Sequence, residues 1–164
     1  MNAQQAVEAA RSILKDVTPL KTDCGRVCGA ACCAPDETGK GGMLLFPGEE
    51  NLYAELPDGF EILPDDTVVA GGKLLVCQGH CPRDKRPLSC VFFPLRPTFK
   101  GDVRMDRRGL WVCPLAEYGV GGLNPAFVEA AREAAGALCA CEEQKDYLRA
   151  LGAHIKQVLE ASKL

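Results

Sequence analysis

The sequence predicts an α+β fold in which small, irregular antiparallel hairpins carry cysteine metal loops and pack against an N-terminal helix and a C-terminal helical pair. Helical periodicity is confined to the two ends of the chain, short apolar runs between turn-forming residues fill the middle, and eight of the ten cysteines lie in that middle part. The 164-residue chain, with 47% hydrophobic and 25% charged side chains, has the composition of one globular domain. We therefore predict a single domain over 1–164, with a cysteine-cluster metal-binding core at 22–115 and a C-terminal helical segment at 123–162.

An amphipathic helix is predicted over residues 3–17. Its apolar positions recur at the spacing of one helix face: Ala6, Val7, Ala10, Ile13, Leu14 and Val17. Thr18-Pro19 should end this helix, because the residue before a proline is disfavoured in the helical conformation.

Short strands are predicted in the next part of the chain. Met43–Phe46 is an apolar run closed by Pro47-Gly48, and a short helix or a further turn is expected at 49–53. Phe60–Leu63 has the same strand character. Val68–Ala70 and 73–76 are predicted to pair as a hairpin across Gly71-Gly72, which leads directly into Cys77.

A second hairpin is predicted around Asp106-Arg107-Arg108-Gly109. Residues 98–105 would pair with Leu110–Val112, and Cys113 would then lie at the end of a strand. Rigid strand ends hold metal-binding side chains more firmly than long loops do.

The C-terminal segment is predicted to be helical from Asn124-Pro125, which provides an N-cap residue and a proline in the first turn. Two runs of apolar residues at helical spacing follow. The sequence leaves open whether they form one long helix or two helices joined near 139–143, because no glycine or proline marks the junction.

The cysteines carry the chemistry of this sequence. Four of them lie within ten residues with the spacing C-x3-C-x3-C-C, which is compact enough to bring several sulfurs near one point. Gly25 and Gly29 lie between them, and glycine tolerates the positive φ values that such a tight loop can require. The predicted pool of metal ligands is Cys24, Cys28, Cys32, Cys33, Cys77, Cys81, Cys90 and Cys113.

The identity of the metal stays open at this point. Four thiolates suit a structural zinc ion, and they equally suit an iron–sulfur cluster. His80 could replace one sulfur through the Cys77-x2-His80 spacing. Cys139 and Cys141 are interpreted instead as buried small side chains or surface thiols, since residues two apart on a helix point in different directions.

The N-terminal sequence and the net charge indicate where the protein is located and which partners it can bind. The N-terminus has neither the basic nor the apolar region of a secretory signal, so we expect a cytoplasmic protein with reduced thiols and no membrane segment. The net charge of −3 argues against nucleic acid as a partner. Residues 83–108 nevertheless carry eight basic and three acidic side chains. This excess suits either an anionic partner or, as we favour, the compensation of metal-bound thiolates.

The cysteine motifs resemble a known family. The stretch from Cys24 to Cys33, the Leu45-Phe46-Pro47-Gly48-Glu49 segment, Cys81-Pro82 and the run from Arg86-Pro87 to Leu95 are similar to YkgJ-type cysteine-cluster proteins. That family is described as zinc- or iron-chelating domains, and flagellin lysine N-methylase proteins carry a related cluster. The family pattern is usually written C-x2-C-x2-C-C, with two residues where this chain has three. The resemblance covers residues 22 to about 115.

Two functions are therefore expected. The first is a metal-binding protein that chelates zinc or iron, in which the metal is chiefly structural and no turnover occurs. The alternative, implied by the resemblance, is an iron–sulfur redox or methyl-transfer-related enzyme. The sequence contains no dinucleotide-binding glycine motif and no recognisable nucleophile–base pair, which favours the first function.

Overall fold

The computed structural model describes residues 1–21, 41–79 and 81–163, and these form an α+β fold, which confirms the predicted fold class. The described residues contain four α-helices and five strands: α1 (Ala3–Leu14), β1 (Gly41–Leu44), β2 (Glu61–Pro64), β3 (Lys73–Cys77), α2 (Leu88–Phe92), β4 (Leu95–Pro97), β5 (Val103–Met105), α3 (Pro125–Cys139) and α4 (Glu142–Ala161). Short 3-10 helices lie at Glu49–Leu52, Arg83–Lys85, Arg107–Trp111, Ala116–Tyr118 and Val120–Gly122.

Helix α1 begins with a capping box. The Asn2 side chain accepts from the Gln5 backbone nitrogen at 2.8 Å, and the Gln5 side chain accepts from the Asn2 nitrogen at 2.9 Å. The helix ends at Leu14, three residues before the predicted end. Arg83 donates to the carbonyl oxygen of Val17 at 3.0 Å, so one unpaired carbonyl beyond the helix end is satisfied by a side chain from elsewhere.

The core lies between α1 and the two C-terminal helices. Helix α1 packs mainly against α3. The buried residues of this interface include many alanines, which allow the helices to approach closely: Ala6, Ala10, Ala131, Ala134 and Ala135 are all fully buried. Tyr147, Leu148, Leu151 and Ile155 of α4 complete this cluster.

The first sheet has the strand order β1-β3-β2 and is antiparallel throughout. The predicted strand Val68–Ala70 is wrong, because the partner of β3 is β2 across a longer connection. The carboxylates of Asp65 and Asp66 organise that connection by accepting from the backbone nitrogens of Thr67 and Gly71, at 2.9 and 2.8 Å. Aspartates that bind nearby backbone in this way favour a turn over a strand.

The second sheet pairs β4 with β5, so the predicted hairpin with Leu110–Val112 is also wrong. Gly101 has a φ of 76° in the turn that joins β4 to β5. Downstream, the Asp106 side chain accepts from the Arg108 nitrogen at 3.0 Å and caps the 3-10 helix Arg107–Trp111. This helix occupies most of the segment in which the second strand was expected.

The C-terminal segment consists of two helices, which answers the question that the sequence left open. Asn124 caps α3 through its side chain, as predicted. The chain leaves the helical conformation at Cys141, whose φ and ψ of −110° and 123° are extended. None of the helices within the described residues combines the length and the apolar character needed to cross a membrane.

Candidate functional site

Four of the eight predicted ligands lie within the described residues: Cys77, Cys81, Cys90 and Cys113. The other four, Cys24, Cys28, Cys32 and Cys33, lie outside the described residues, as does His80. Cys77, Cys113, Cys139 and Cys141 form no disulfide.

Cys77 is the last residue of β3, and it pairs in register with Gly41 of β1. Gly41 is eight positions after Cys33 in the sequence, so the sheet fixes the chain that follows the first cysteine stretch beside the start of the second. Gly79, with a φ of 78°, turns the chain after β3 towards Cys81. The Cys81 side chain is only 7% exposed.

Cys90 lies in a short helix, and Cys113 lies just after one. Cys90 is in α2, and its backbone nitrogen donates to the Pro87 carbonyl at 2.9 Å. Cys113 follows the 3-10 helix Arg107–Trp111, and its nitrogen donates to the Gly109 carbonyl at 2.7 Å. Local backbone hydrogen bonds therefore fix the position of both cysteines.

Both of these cysteines line one cavity of about 940 Å³. Its walls are formed by the end of α1 and the turn after it, the 3-10 helix Arg83–Lys85, and residues around α2. Pro19 and Met43 also line it, and these residues precede and follow the cysteine stretch in the sequence. The chain therefore enters and leaves residues 22–40 close to the cavity that holds Cys90 and Cys113.

A buried carboxylate supports one wall of this cavity. Glu49 is fully buried, and its Oε1 accepts from the Leu88 backbone nitrogen at 2.6 Å, while its Oε2 accepts from the Phe46 nitrogen at 2.9 Å. An Arg11 Nη1 nitrogen lies 3.4 Å from Oε1. Burial raises the pKa of Glu49 to about 7, against the opposing effect of these three donors.

Tyr53 lies on the same cavity as Cys90, and its hydroxyl donates to the Lys85 carbonyl at 2.9 Å. Burial raises the pKa of Tyr53 well above its usual range, and the charge of Glu49 adds to the shift. Negative charge on Cys90 and Cys81 would raise this pKa further.

Basic side chains are concentrated at the cavity: Arg11, Lys15, Arg83, Lys85 and Arg86 line it, together with the acidic Glu8, Asp16 and Asp84. Other basic residues of the 83–108 segment lie elsewhere. Arg108 makes a 2.6 Å ion pair with the buried Asp106, and burial lowers the pKa of the neighbouring Arg96. The basic segment is therefore divided between the cavity and the second sheet.

The two C-terminal cysteines belong to the packing of the helices. Cys141 is buried in the hydrophobic core. Cys139 donates from its sulfur to the Thr98 carbonyl at 3.4 Å, and burial raises the pKa of its thiol. The interpretation of Cys141 as a buried small side chain is confirmed.

The sequence did not identify Arg11, Glu49 and Tyr53 as supports of the site. Of the three, Glu49 had the clearest sequence signal, because it is the last residue of the Leu45–Glu49 motif. Arg11 is next to the apolar face of α1, and a charged residue at such a boundary can indicate a buried ion pair. Among the described residues, no group of three His, Cys, Asp or Glu side chains is arranged to hold a metal ion.

No family model matches the sequence, and neither a curated protein nor a solved structure matches it. Any function of this chain is therefore inferred from its own residues.

Proposed function

We propose that the protein binds zinc or iron through clustered cysteine thiolates and that the metal serves chiefly to stabilise the structure. One observation carries the proposal: the cavity lined by Cys90 and Cys113 is also lined by Pro19 and Met43, on either side of the cysteine-rich residues 22–40. The proposed centre therefore combines sulfurs from the first cysteine stretch with those of the later loops.

The ligand pool remains the one that the sequence predicts: Cys24, Cys28, Cys32, Cys33, Cys77, Cys81, Cys90 and Cys113. The surroundings suit thiolate ligands, because ionised sulfur is stabilised by nearby cations. Lys15, Arg83 and Lys85 line the same cavity as Cys90 and Cys113. A zinc ion held by four such sulfurs has a closed coordination shell and leaves no open position for a substrate.

The proposal includes a cytoplasmic location, because thiols must stay reduced and unpaired in order to bind metal. A bound metal would contribute directly to folding free energy, since the unfolded chain holds no assembled site.

The experiment is elemental analysis of anaerobically purified protein, with a visible absorption spectrum of the same sample. We expect about two zinc ions per chain and no visible band, as two closed four-thiolate sites require. Iron with acid-labile sulfide and a brown colour would instead favour the iron–sulfur alternative and make redox chemistry the function to pursue.

Two serine variants make the test specific to the site. Cys90→Ser should lower the metal content, because a hydroxyl is a poor ligand for soft metals. Cys139→Ser is the matched control, since Cys139 is hydrogen-bonded to Thr98 and lies outside the ligand pool. Wild-type protein that contains no metal, or equal metal loss in both variants, would contradict the proposal.

A further inference from the structure

The loop between Cys81 and Cys90 is held from outside by side chains of other elements. Arg11 of α1 donates to the Arg86 carbonyl at 2.7 Å and to the Asp84 carbonyl at 3.0 Å. Tyr53 donates from its hydroxyl to the Lys85 carbonyl at 2.9 Å. Three consecutive backbone carbonyls of this loop are therefore bound by two side chains that are more than 30 positions away in sequence.

Glu49 holds the other end of the same loop. Its carboxylate accepts from the backbone nitrogen of Leu88, the first residue of α2, and from that of Phe46. Because Leu88 lies two residues before Cys90, this contact fixes the start of the helical turn that carries the sulfur. Arg11 also contacts Glu49, so one guanidinium joins both parts of the network.

The contacts of Arg11 and Glu49 differ from ordinary apolar packing in that they require charged groups to be desolvated. Burying a carboxylate and part of a guanidinium requires the removal of their hydration, and apolar side chains often provide equal stability at such places. Four of these six hydrogen bonds, however, are directed at backbone groups between Cys81 and Cys90. Directed hydrogen bonds restrict the position of a backbone more tightly than apolar contacts do.

We propose that Arg11, Glu49 and Tyr53 are positioning residues that hold the Cys81 and Cys90 sulfurs at the separation that a shared metal ion requires. This inference rests on the proposed function. The three residues touch no metal in this proposal, and they act through the backbone of the loop. Residues that orient metal ligands from behind typically change metal affinity 10–100-fold when they are mutated.

Arg11, Glu49 and Tyr53 are called the frame below. The experiment compares zinc affinity in two variants of this frame and one control. Arg11→Lys keeps the charge but removes the planar fork that reaches Asp84 and Arg86 together. Tyr53→Phe removes a single oxygen and its bond to Lys85. Ile155→Ala is the control, because Ile155 is buried in α4 and its truncation lowers stability without touching the loop.

Affinity is measured by competition with a chromophoric chelator, and the site geometry by the absorption spectrum of the cobalt-substituted protein. We expect Arg11→Lys to weaken zinc binding about 10–100-fold and to alter the cobalt spectrum, with a smaller loss in Tyr53→Phe. Ile155→Ala should lower the unfolding temperature and leave the cobalt spectrum unchanged. The proposal is overturned if zinc affinity follows thermal stability across all three variants, or if both frame variants bind zinc like the wild type.

A second measurement separates failure of this inference from failure of the proposed function. If the wild-type protein binds no metal, the proposed function fails. Amide hydrogen exchange then tests whether the frame still fixes the backbone of the loop. Arg11→Lys should then accelerate exchange at Leu88 and Cys90 while leaving α3 unchanged, because the lost guanidinium contacts reach the loop and Glu49 but not α3. Unchanged exchange at Leu88 and Cys90 would overturn the frame itself.

Discussion

The Glu49 carboxylate accepts a 2.6 Å hydrogen bond from the backbone nitrogen of Leu88, 39 positions further along the chain. Glu49 ends the Leu45–Glu49 motif, and Leu88 lies within the run that begins at Arg86-Pro87. Two motifs that are separate in the sequence therefore form one unit in the fold. The buried carboxylate is the group that joins them.

Protonation of Glu49 should make stability depend on pH. Burial raises the pKa of this group from 4.5 to about 7 in the folded protein, so the folded state holds its proton more tightly than the unfolded state. This contribution to stability is fully present below the unfolded pKa and is lost as pH rises through about 7, by up to about 3 kcal/mol. Urea unfolding at a series of pH values measures it. In Glu49→Gln, which cannot titrate, this part of the slope should disappear, and a wild-type-to-variant difference that is constant with pH would contradict the prediction.

Gly48→Ala should destabilise the protein more than Gly71→Ala does. Both glycines have positive φ values, 81° and 75°, so each substitution introduces similar backbone strain of about 1–3 kcal/mol. A Cβ atom at Gly48 would also lie 2.8 Å from the backbone nitrogen of Gln4 in α1, whereas none of the described atoms lies within 4 Å of a Cβ at Gly71. Chemical denaturation of the two variants measures the difference. Equal losses would show that the close approach to α1 costs nothing.

Gln144→Ala should lower the free energy of unfolding by about 1–3 kcal/mol, because it leaves buried backbone acceptors without a donor. The Gln144 Nε2 donates to the Pro47 carbonyl at 2.8 Å and to the Ala3 carbonyl at 3.0 Å. Gln157→Ala on the exposed face of the same helix is the control and should change stability little. The expectation fails if thermal unfolding of the two variants is indistinguishable.

Trp111 should report metal binding if the proposed function is right. It is the only tryptophan in the sequence, its side chain is 60% exposed, and it lies two residues before Cys113. Removal of metal by a chelator should change its fluorescence, because the backbone around Cys113 loses a constraint. Cys113→Ser should weaken this response. Unaltered emission in a sample from which elemental analysis shows that metal was removed would exclude Cys113 as a ligand.

Local patterns predicted most of the helices and the existence of the first sheet. The apolar spacing in α1 and the Asn124-Pro125 start of α3 are signals that depend on neighbouring residues only. The strands β1, β2 and β3 were likewise visible as apolar runs, and each begins or ends within two residues of its predicted bounds. The conformation of such elements is determined mainly by their own local sequence.

The strand pairing was predicted less well, because it depends on how the connections fold. The β-branched Val68 and Val69 suggested a strand, but the aspartates before them bind backbone nitrogens and keep this segment as a loop. Leu110 and Trp111 suggested a strand as well, and the cap provided by Asp106 makes this segment helical. In both places a polar side chain that binds nearby backbone outweighs the apolar pattern.

The supports of the candidate site could not be predicted from sequence spacing. Arg11 meets its acceptors at Asp84 and Arg86 across more than 70 positions, and nothing in its local sequence specifies them. The candidate ligands were proposed because closely spaced cysteines often bind metals, whereas arginine and tyrosine have no comparable spacing signal. The contacts of Arg11 and Tyr53 with the loop are apparent only in the folded structure.

Because α1 packs against α3, the hydrophobic core between them can form only after α3 has been synthesised. A nascent chain leaves the ribosome with its N-terminus first, so α1 is made long before the helix that buries Ala6 and Ala10. All eight cysteines of the ligand pool are translated in that interval. If the proposed function is right, these thiols are therefore available to metal on the growing chain before the hydrophobic core can close.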